Sequence, residues 1–349
     1  MTDRWQTNTS LEAIAGWLRQ QRRVVVLTHS KPDGDAIGST MAIVRAVNQI
    51  RPSKDTPAAE AWYFGPMPPF AEKVIRDTPA RNFQQQSHPG GEPDAIVIVD
   101  TGSWSQLEQV REWLGPRISR AVVIDHHRHG DPDSAERRVV SPEASAACQI
   151  VADLCRLVLQ RASMRDLPVD VAEACYLGIA TDTGWFRHSN TTADVLRVAA
   201  DLLDAGVNAA ELYRVVEQTD REARIRLLGR ALTGMQVFDN GRFALLSLTR
   251  QDFSDVRAEQ GDAGGFADYA QTIETVRVVA MFTESEPDER GRPVTKVSLR
   301  SKDTEGGVDV NQVARQFGGG GHIRAAGARI QAPIDEARRL VLEALRNAR

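Results

Sequence analysis

Residues 24–39 read VVVLTHSKPDGDAIGS. A short apolar run over 24–27 stops at Thr28-His29, and Asp33 and Asp35 follow, with Pro32 and Gly34 among them. This predicts a buried strand entering a tight loop that carries one imidazole and two carboxylates, with a helix over about residues 37–49 behind it. A loop at the carboxyl end of a buried strand is where open α/β sheets place their chemistry. An imidazole with several carboxylates and no thiolate suits a borderline-to-hard divalent metal.

Two further runs repeat the pattern. Residues 95–99 (AIVIV) end at Asp100, and residues 121–124 (AVVI) end at Asp125-His126-His127. Both are short, continuously apolar and rich in β-branched residues, as parallel strands buried on both faces are. In a parallel sheet the carboxyl ends share one edge, so His29, Asp100 and the Asp-His-His triplet converge. Asp182 adds a carboxylate where the helix predicted over 169–180 runs into a Gly184-marked turn. The candidate metal set is therefore His29, Asp33, Asp35, Asp100, His126 and Asp182. Any one of these aspartates alone reads equally well as a helix cap or turn residue; recurrence at several strand ends decides for metal. Two ions about 3.5–4 Å apart need a bridging carboxylate, and Asp100, on the middle strand end, is the natural bridge. Adjacent histidines on irregular backbone point apart, so one serves metal and the other faces substrate, with Asp125 placed to orient a neighbouring imidazole. His88 and His129 read as surface residues, and His188 is left open.

The chain has 349 residues, enough for about two domains. Its net charge of −4 excludes a general nucleic-acid coat protein, so an anionic substrate must meet a local positive site or metals. Cys148, Cys155 and Cys175 are odd in number and lack zinc-site spacing, which reads as buried thiols in a reducing compartment. The amino-terminal residues are polar, and no apolar run approaches the ~20 residues that cross a bilayer. The reading is a cytoplasmic protein.

Elsewhere the periodicity predicts helices over 11–19 with Ser10 as N-cap, 144–159, 191–203, 209–216, 221–235, 308–317 and 334–347. Strands are expected over 61–64, 236–249, 274–283 and 293–300, and polar loops over 51–59 and 84–93. Arg221, Arg224 and Arg226 read as a solvated helix face. Gly318-Gly319-Gly320-Gly321-His322 is a different device: backbone N–H groups there can approach an anion closely, and residues 323–327 are expected to start a helix whose amino end adds positive potential. Arg300-Ser301-Lys302 at a strand end strengthens the anion reading.

THSKPDGDAIGS, IVIVDTG, VVIDHH, GIATDTGWFRHSNT and GGGGHIRAAGARI resemble, in order, the motifs of the DHH phosphoesterase superfamily with its DHH-associated C-terminal domain. The closest subgroup is that of the bifunctional oligoribonuclease/pAp phosphatases, or nano-RNases. The resemblance implies an α/β fold: a parallel-sheet DHH domain over residues 1–190, a helical connector over 191–235, and a smaller α+β domain over 236–349, with the active site in the cleft between them. It implies two manganese ions, with magnesium or cobalt as substitutes. His29, Asp33 and Asp100 would hold one ion, and Asp35, Asp100, His126 and Asp182 the other. Asp125 would support the site and His127 would contact the scissile phosphate, which makes His127, Asp125 and Asp100 the catalytic group. Arg300, Ser301, Gly319, Gly320, Gly321 and His322 would hold substrate. The activity implied is hydrolysis of short single-stranded RNA or DNA oligonucleotides and dinucleotides to mononucleotides, and of pAp to AMP, without membrane association and with a homodimer left open. The competing readings are a cyclic- or linear-dinucleotide phosphodiesterase, a RecJ-like exonuclease, an inorganic pyrophosphatase and, in a different class, a non-catalytic nucleotide-binding module.

Overall fold

The computed structural model describes residues 4–52, 56–83, 92–302, 304 and 307–348. His88 and most of the loop expected over 84–93 lie outside the described residues, as does the middle of the 51–59 loop. The chain divides into two compact units at Thr219/Asp220. No helix among the described residues is long and apolar enough to cross a membrane.

The first unit is built on six parallel strands: β1 (Val24–Leu27), β2 (Ala59–Tyr63), β3 (Ala80–Asn82), β4 (Ala95–Val99), β5 (Ala121–Asp125) and β6 (Arg137–Val140). Their order is β3-β2-β1-β4-β5-β6. The chain walks outward from β1 to β3, jumps back to lay β4 beside β1, then walks the other way. Ligands of such sheets bind outside the carboxyl ends at this reversal. Here it falls between His29 and Asp100, with β4 between β1 and β5 as expected. The short edge strands β3 and β6 are additions to the expected set; β3 is exposed throughout and β6 opens on two arginines, so neither carries an apolar signature.

One face of the sheet is covered by α1 (Leu11–Leu18), α2 (Gly34–Ile50), α3 (Ala71–Ile75), α5 (Ala147–Val158) and α6 (Val169–Asp182). The other face carries Trp62, Ile96, Ile98 and α4 (Arg111–Leu114). Ser10 caps α1 as expected, accepting from the Ala13 N–H. Helix α2 begins three residues earlier than expected. Asp33 is its N-cap, accepting from the N–H groups of Asp35 (3.0 Å) and Ala36 (3.1 Å), so the Pro-Asp-Gly-Asp turn signal is a cap and a first turn. Buried almost all round, α2 lies between the sheet and α5/α6. Gly178 on α6 permits this, because a methyl group there would strike Cys148 Sγ and Asp35 Oδ1. α7 (Ala193–Asp204) and α8 (Ala209–Glu217) complete the unit. All three cysteines are buried free thiols.

The second unit is a mixed sheet in the order β11-β12-β10-β9-β8-β7. Its strands are β7 (Gln236–Phe238), β8 (Phe243–Leu248), β9 (Val278–Ser285), β10 (Val294–Ser301), β11 (Gly320–His322) and β12 (Ala325–Ile330). α9 (Glu222–Thr233), α10 (Arg250–Val256) and α11 (Phe266–Gln271) pack on one face, and α12 (Val310–Arg315) and α13 (Ile334–Asn347) on the other. Two expectations are corrected. The single strand over 236–249 is a hairpin whose turn, Asp239-Asn240-Gly241, has φ of 51°, 56° and 90°; Asn-Gly is a strong hairpin signal. The helix expected over 323–327 is instead the start of β12. Ile323-Arg324 is a two-residue hairpin turn joining His322 to its partner Ala325, and Ala326, Ala328 and Ile330 alternate inward with period two. The α9 arginines also do more than face solvent: Arg221 pairs with Glu259 and Asp262, and Arg224 lies over the Phe266 ring.

Candidate metal centre

Each polar residue of the site sits where a regular element ends. After β1, buried Thr28 donates its hydroxyl to the Val99 carbonyl of β4 (2.9 Å) and so fixes the strand end from which His29 emerges. After β4, Asp100 takes the left-handed backbone region (φ 60°), which aspartate tolerates better than most residues. At the end of β5, Asp125 Oδ1 accepts from the N–H groups of His126 (2.8 Å) and His127 (3.2 Å). Asp35 lies in the first turn of α2, and the first residues of α5 grip it: Ala147 N–H donates to Oδ2 (2.6 Å) and Cys148 N–H to Oδ1 (2.8 Å). Asp182 is the last residue of α6.

All six candidate ligands converge. Asp100 Oδ2 lies 3.5 Å from His29 Nε2, and its Oδ1 lies 3.4 Å from His126 Nε2. His126 Nε2 is also 3.9 Å from Asp35 Oδ2 and 4.0 Å from Asp182 Oδ2. Three sets of ligand atoms lie within 4.8 Å of one another: His29/Asp33/Asp100, Asp35/His126/Asp182 and Asp100/His126/His127. Asp100 belongs to two of them, with one oxygen turned to each side. The two histidines differ. His126 Nδ1 faces the Ala144 carbonyl (3.3 Å) and its Nε2 faces the carboxylates. His127 Nδ1 donates to Asp125 Oδ1 at 2.7 Å, which leaves Nε2 as the ring atom for an outside partner. Asp125 thus orients His127 rather than the inward-facing His126.

The charges are unbalanced without a cation. Burial, reinforced by Asp100 and Asp182, pushes the Asp35 carboxyl well above the usual carboxylate range. Burial pushes Asp182 up to about 6, with Asp100 and Asp33 adding to it. Burial alone would lower the His126 imidazole, but Asp100, Asp35 and Asp182 outweigh it and push it up to about 9. Burial would raise Asp100, yet His126 and His29 hold it low. The Asp125 contact raises His127. Buried Asp100 Oδ1 and Asp125 Oδ2 have no hydrogen-bond partner among the described residues; His126 sits at ion-pair distance from Asp100 without a formed hydrogen bond. Crowded carboxylates with an orphaned oxygen, and only nitrogen and oxygen donors facing it, fit divalent cations. Cys148 Sγ is no competitor, since it faces Ser39 Oγ and backbone carbonyls.

The site opens into a cavity of about 350 Å³, bordered further by Thr101, Ser103, Gln106 and His129. His129 is exposed as expected, yet it lines this cavity. Asn190 was not singled out from the sequence: its side-chain amide bridges the Ser145 carbonyl (3.0 Å) and Asp182 Oδ2 (3.4 Å). His188 stays outside the ligand sets, its Nδ1 3.4 Å from the Asp182 carbonyl.

In the second unit, the register Arg300↔Ala325↔His322 puts Arg300 and His322 on one face of the sheet, and Ser298↔Gly327↔Gly320 extends that face. Between the two longer side chains lies only Ala325, and the next row holds Gly327 and Gly320 beside Ser298. Gly319 precedes β11, and Gly321 within it has φ 151°. Ser301 departs from the expectation. Strand alternation turns its side chain to the opposite face with Val297 and Leu299, where the hydroxyl is buried.

Carboxylates and imidazoles gathered at the reversal point of a parallel sheet, with a separate mixed-sheet unit downstream, define a two-unit α/β protein with a candidate divalent-metal centre. Residues 23–179 match the DHH family, N-terminal domain, and residues 242–348 match the DHHA1 domain. The chain is 33% identical over 329 residues to a bifunctional oligoribonuclease and PAP phosphatase of Thermus thermophilus, covering 93% of this chain and 89% of that protein. A Bacillus subtilis protein of the same description is 24% identical over 320 residues, with 92% and 93% covered. Among solved structures, an exopolyphosphatase-related protein from Bacteroides fragilis superposes with a TM-score of 0.81 at 25% identity, over 97% of this chain and 95% of that one. The chain belongs to the DHH family.

Proposed function

We propose that this protein hydrolyses short single-stranded oligonucleotides, dinucleotides included, to mononucleotides, and pAp to AMP, using two manganese ions. The observation that carries the reading is Asp100, whose two oxygens each face a separate set of ligands. His29, Asp33 and Asp100 would hold one ion, and Asp35, Asp100, His126 and Asp182 the other. Nitrogen and oxygen donors without thiolate favour manganese over structural zinc. When bound, the ions supply Lewis acidity toward phosphoryl oxygens and lower the pKa of water. The protein's own part is positional. Asp125 holds His127 so that Nε2 meets the phosphate, and Asn190 steadies Asp182. Arg300 and His322 grip the nucleotide on the glycine-floored face of the second unit, and the bare backbone lets the substrate lie close. Ser301, buried on the other face, is not given a side-chain role in that grip.

The catalytic segment is residues 1–190 and the nucleotide-holding segment residues 236–349, with the family matches inside these bounds; the helices of the 191–235 connector are shared, α7 and α8 packing with the first unit and α9 with the second. The substrate assignment draws on the bifunctional relatives. The test is the purified protein with manganese against a labelled oligonucleotide length series, with pAp alongside. Turnover that rises toward two to five nucleotides and vanishes in excess chelator is expected. A preference for long strands, or full activity after all metal is removed, overturns the reading.

A further inference from the structure

A tryptophan far from the motifs reaches both loops of the site. Residues 7 and 8 pair with the outer edge of β6. Thr7 Oγ1 accepts from the Val140 N–H (2.9 Å) and donates to the Val140 carbonyl (2.8 Å), while Asn8 N–H donates to the Arg138 carbonyl (3.0 Å) and Arg138 N–H to Asn8 Oδ1 (2.7 Å). β6 is an edge strand, so this arm occupies hydrogen-bonding positions the sheet leaves open. Anchored there, the arm delivers Trp5.

The indole occupies a slot between Gly102, two residues after Asp100, and Gly130, three residues after His127. A methyl group on either glycine would collide with the ring. The indole N–H donates to the main-chain carbonyl of His127 (3.0 Å). On the far side of the slot the same two loops are tied directly: Asp131 N–H donates to the Gly102 carbonyl (2.9 Å), and its carboxylate accepts from the Trp104 N–H (2.7 Å). His127 is thus held at two points, its ring by Asp125 and its backbone by Trp5. The second hold matters because the His127 side chain is 54% exposed and sits on irregular backbone, where packing does little to fix it.

We propose that Trp5 is a positioning residue that acts through His127, keeping the imidazole aimed at the phosphate. This rests on the reading of His127 as the phosphate-contacting residue. Trp5→Phe removes the N–H together with part of the bicyclic ring and keeps an aromatic side chain in the slot. Losing one hydrogen bond corresponds to a fall of roughly fivefold in kcat, and misaiming rather than lost binding leaves KM nearly unchanged.

The experiment is a double-mutant cycle on the manganese-loaded full chain with bis-p-nitrophenyl phosphate, paired with hydrogen exchange on metal-free protein. Trp5→Phe is expected to lower kcat roughly fivefold in the natural background and not at all in a His127→Ala background, the signature of two residues acting as one unit. Amides of residues 126–131 are expected to exchange faster in Trp5→Phe while those of β1 do not change. The proposal is overturned by an equal proportional loss in both backgrounds, by an unchanged kcat in Trp5→Phe, or by exchange that is unchanged or uniformly faster. Trp5→Phe is preferred to Trp5→Ala because it leaves an aromatic ring in the slot and so empties it less. If the unmutated chain hydrolyses nothing, the phosphoesterase reading fails by itself, and the exchange measurement still decides whether Trp5 holds the loop.

Discussion

The two units prepare for an anion in opposite ways. The first crowds side chains: five carboxylates and three imidazoles meet at one sheet edge, several of them buried and at odds in charge. The second removes side chains: Ala325 between Arg300 and His322, and Gly327 and Gly320 in the next row, leave the backbone bare. Crowded charge builds a place suited to cations, and bare backbone builds the floor proposed to carry the nucleotide. The contrast teaches that changes in the first unit should strike the chemistry itself, while changes in the second should strike only substrates large enough to touch the floor.

The largest effect tests the first half of that contrast. Asp100→Ala should lower turnover by on the order of 10⁴-fold on every substrate and weaken both metals together, since the shared carboxylate serves both ligand sets. Elemental analysis of the variant showing two tightly held ions would reject the bridge.

A smaller and selective effect tests the second half. His322→Ala and Arg300→Ala should each cost roughly 10- to 100-fold in kcat/KM on a dinucleotide and far less on bis-p-nitrophenyl phosphate, because a substrate without the remote nucleotide never used that binding energy. Ser301→Ala is the internal control, and its ratio of the two efficiencies should match that of the natural chain. Equal loss on both substrates for His322→Ala would move that residue into the chemical step and dissolve the contrast.

The smallest effect is thermal. In metal-free protein Asp35 and Asp182 have raised pKa values, Asp182 about 6, and His126 is raised to about 9. A raised folded-state pKa contributes stability that is present below the unfolded value and lost as pH rises through the folded one. The metal-free Tm should therefore decline as pH rises from 5 to 8. Manganese should add more to Tm at pH 8 than at pH 5, where protons compete for the ligands. Calorimetry showing a metal-free Tm that climbs over that range would contradict the charge imbalance described for the site.

The strands β1, β4 and β5 and the convergence of His29, Asp100 and His126 were legible because buried parallel strands are short apolar runs and their chemistry follows at the carboxyl end. What escaped had no such signature. β3 and β6 are polar edge strands. The helical start of α2 was hidden by Pro32 and Gly34, which read as a turn until Asp33 is seen as a cap. β12 was mistaken for a helix because its glycines and alanines carry little β propensity, although their inward alternation was present in the sequence. Asn190 and Trp5 act through contacts spanning tens to more than a hundred residues, which no local pattern announces. Ser301 was grouped with Arg300 by the family resemblance, and strand alternation puts their side chains on opposite faces.

The order of the sheet also bears on how the site comes into being. His29, Asp33 and Asp35 are near neighbours in the chain, but Asp100 joins them only when β1 pairs with β4, Val24 against Ala95, and Asp182 only when α6 has packed on α2. Contacts so distant in sequence carry a large loop-closure cost, so the site is expected to form late in folding. A cation bound there should therefore slow unfolding more than it speeds folding, which stopped-flow refolding and unfolding with and without manganese would check.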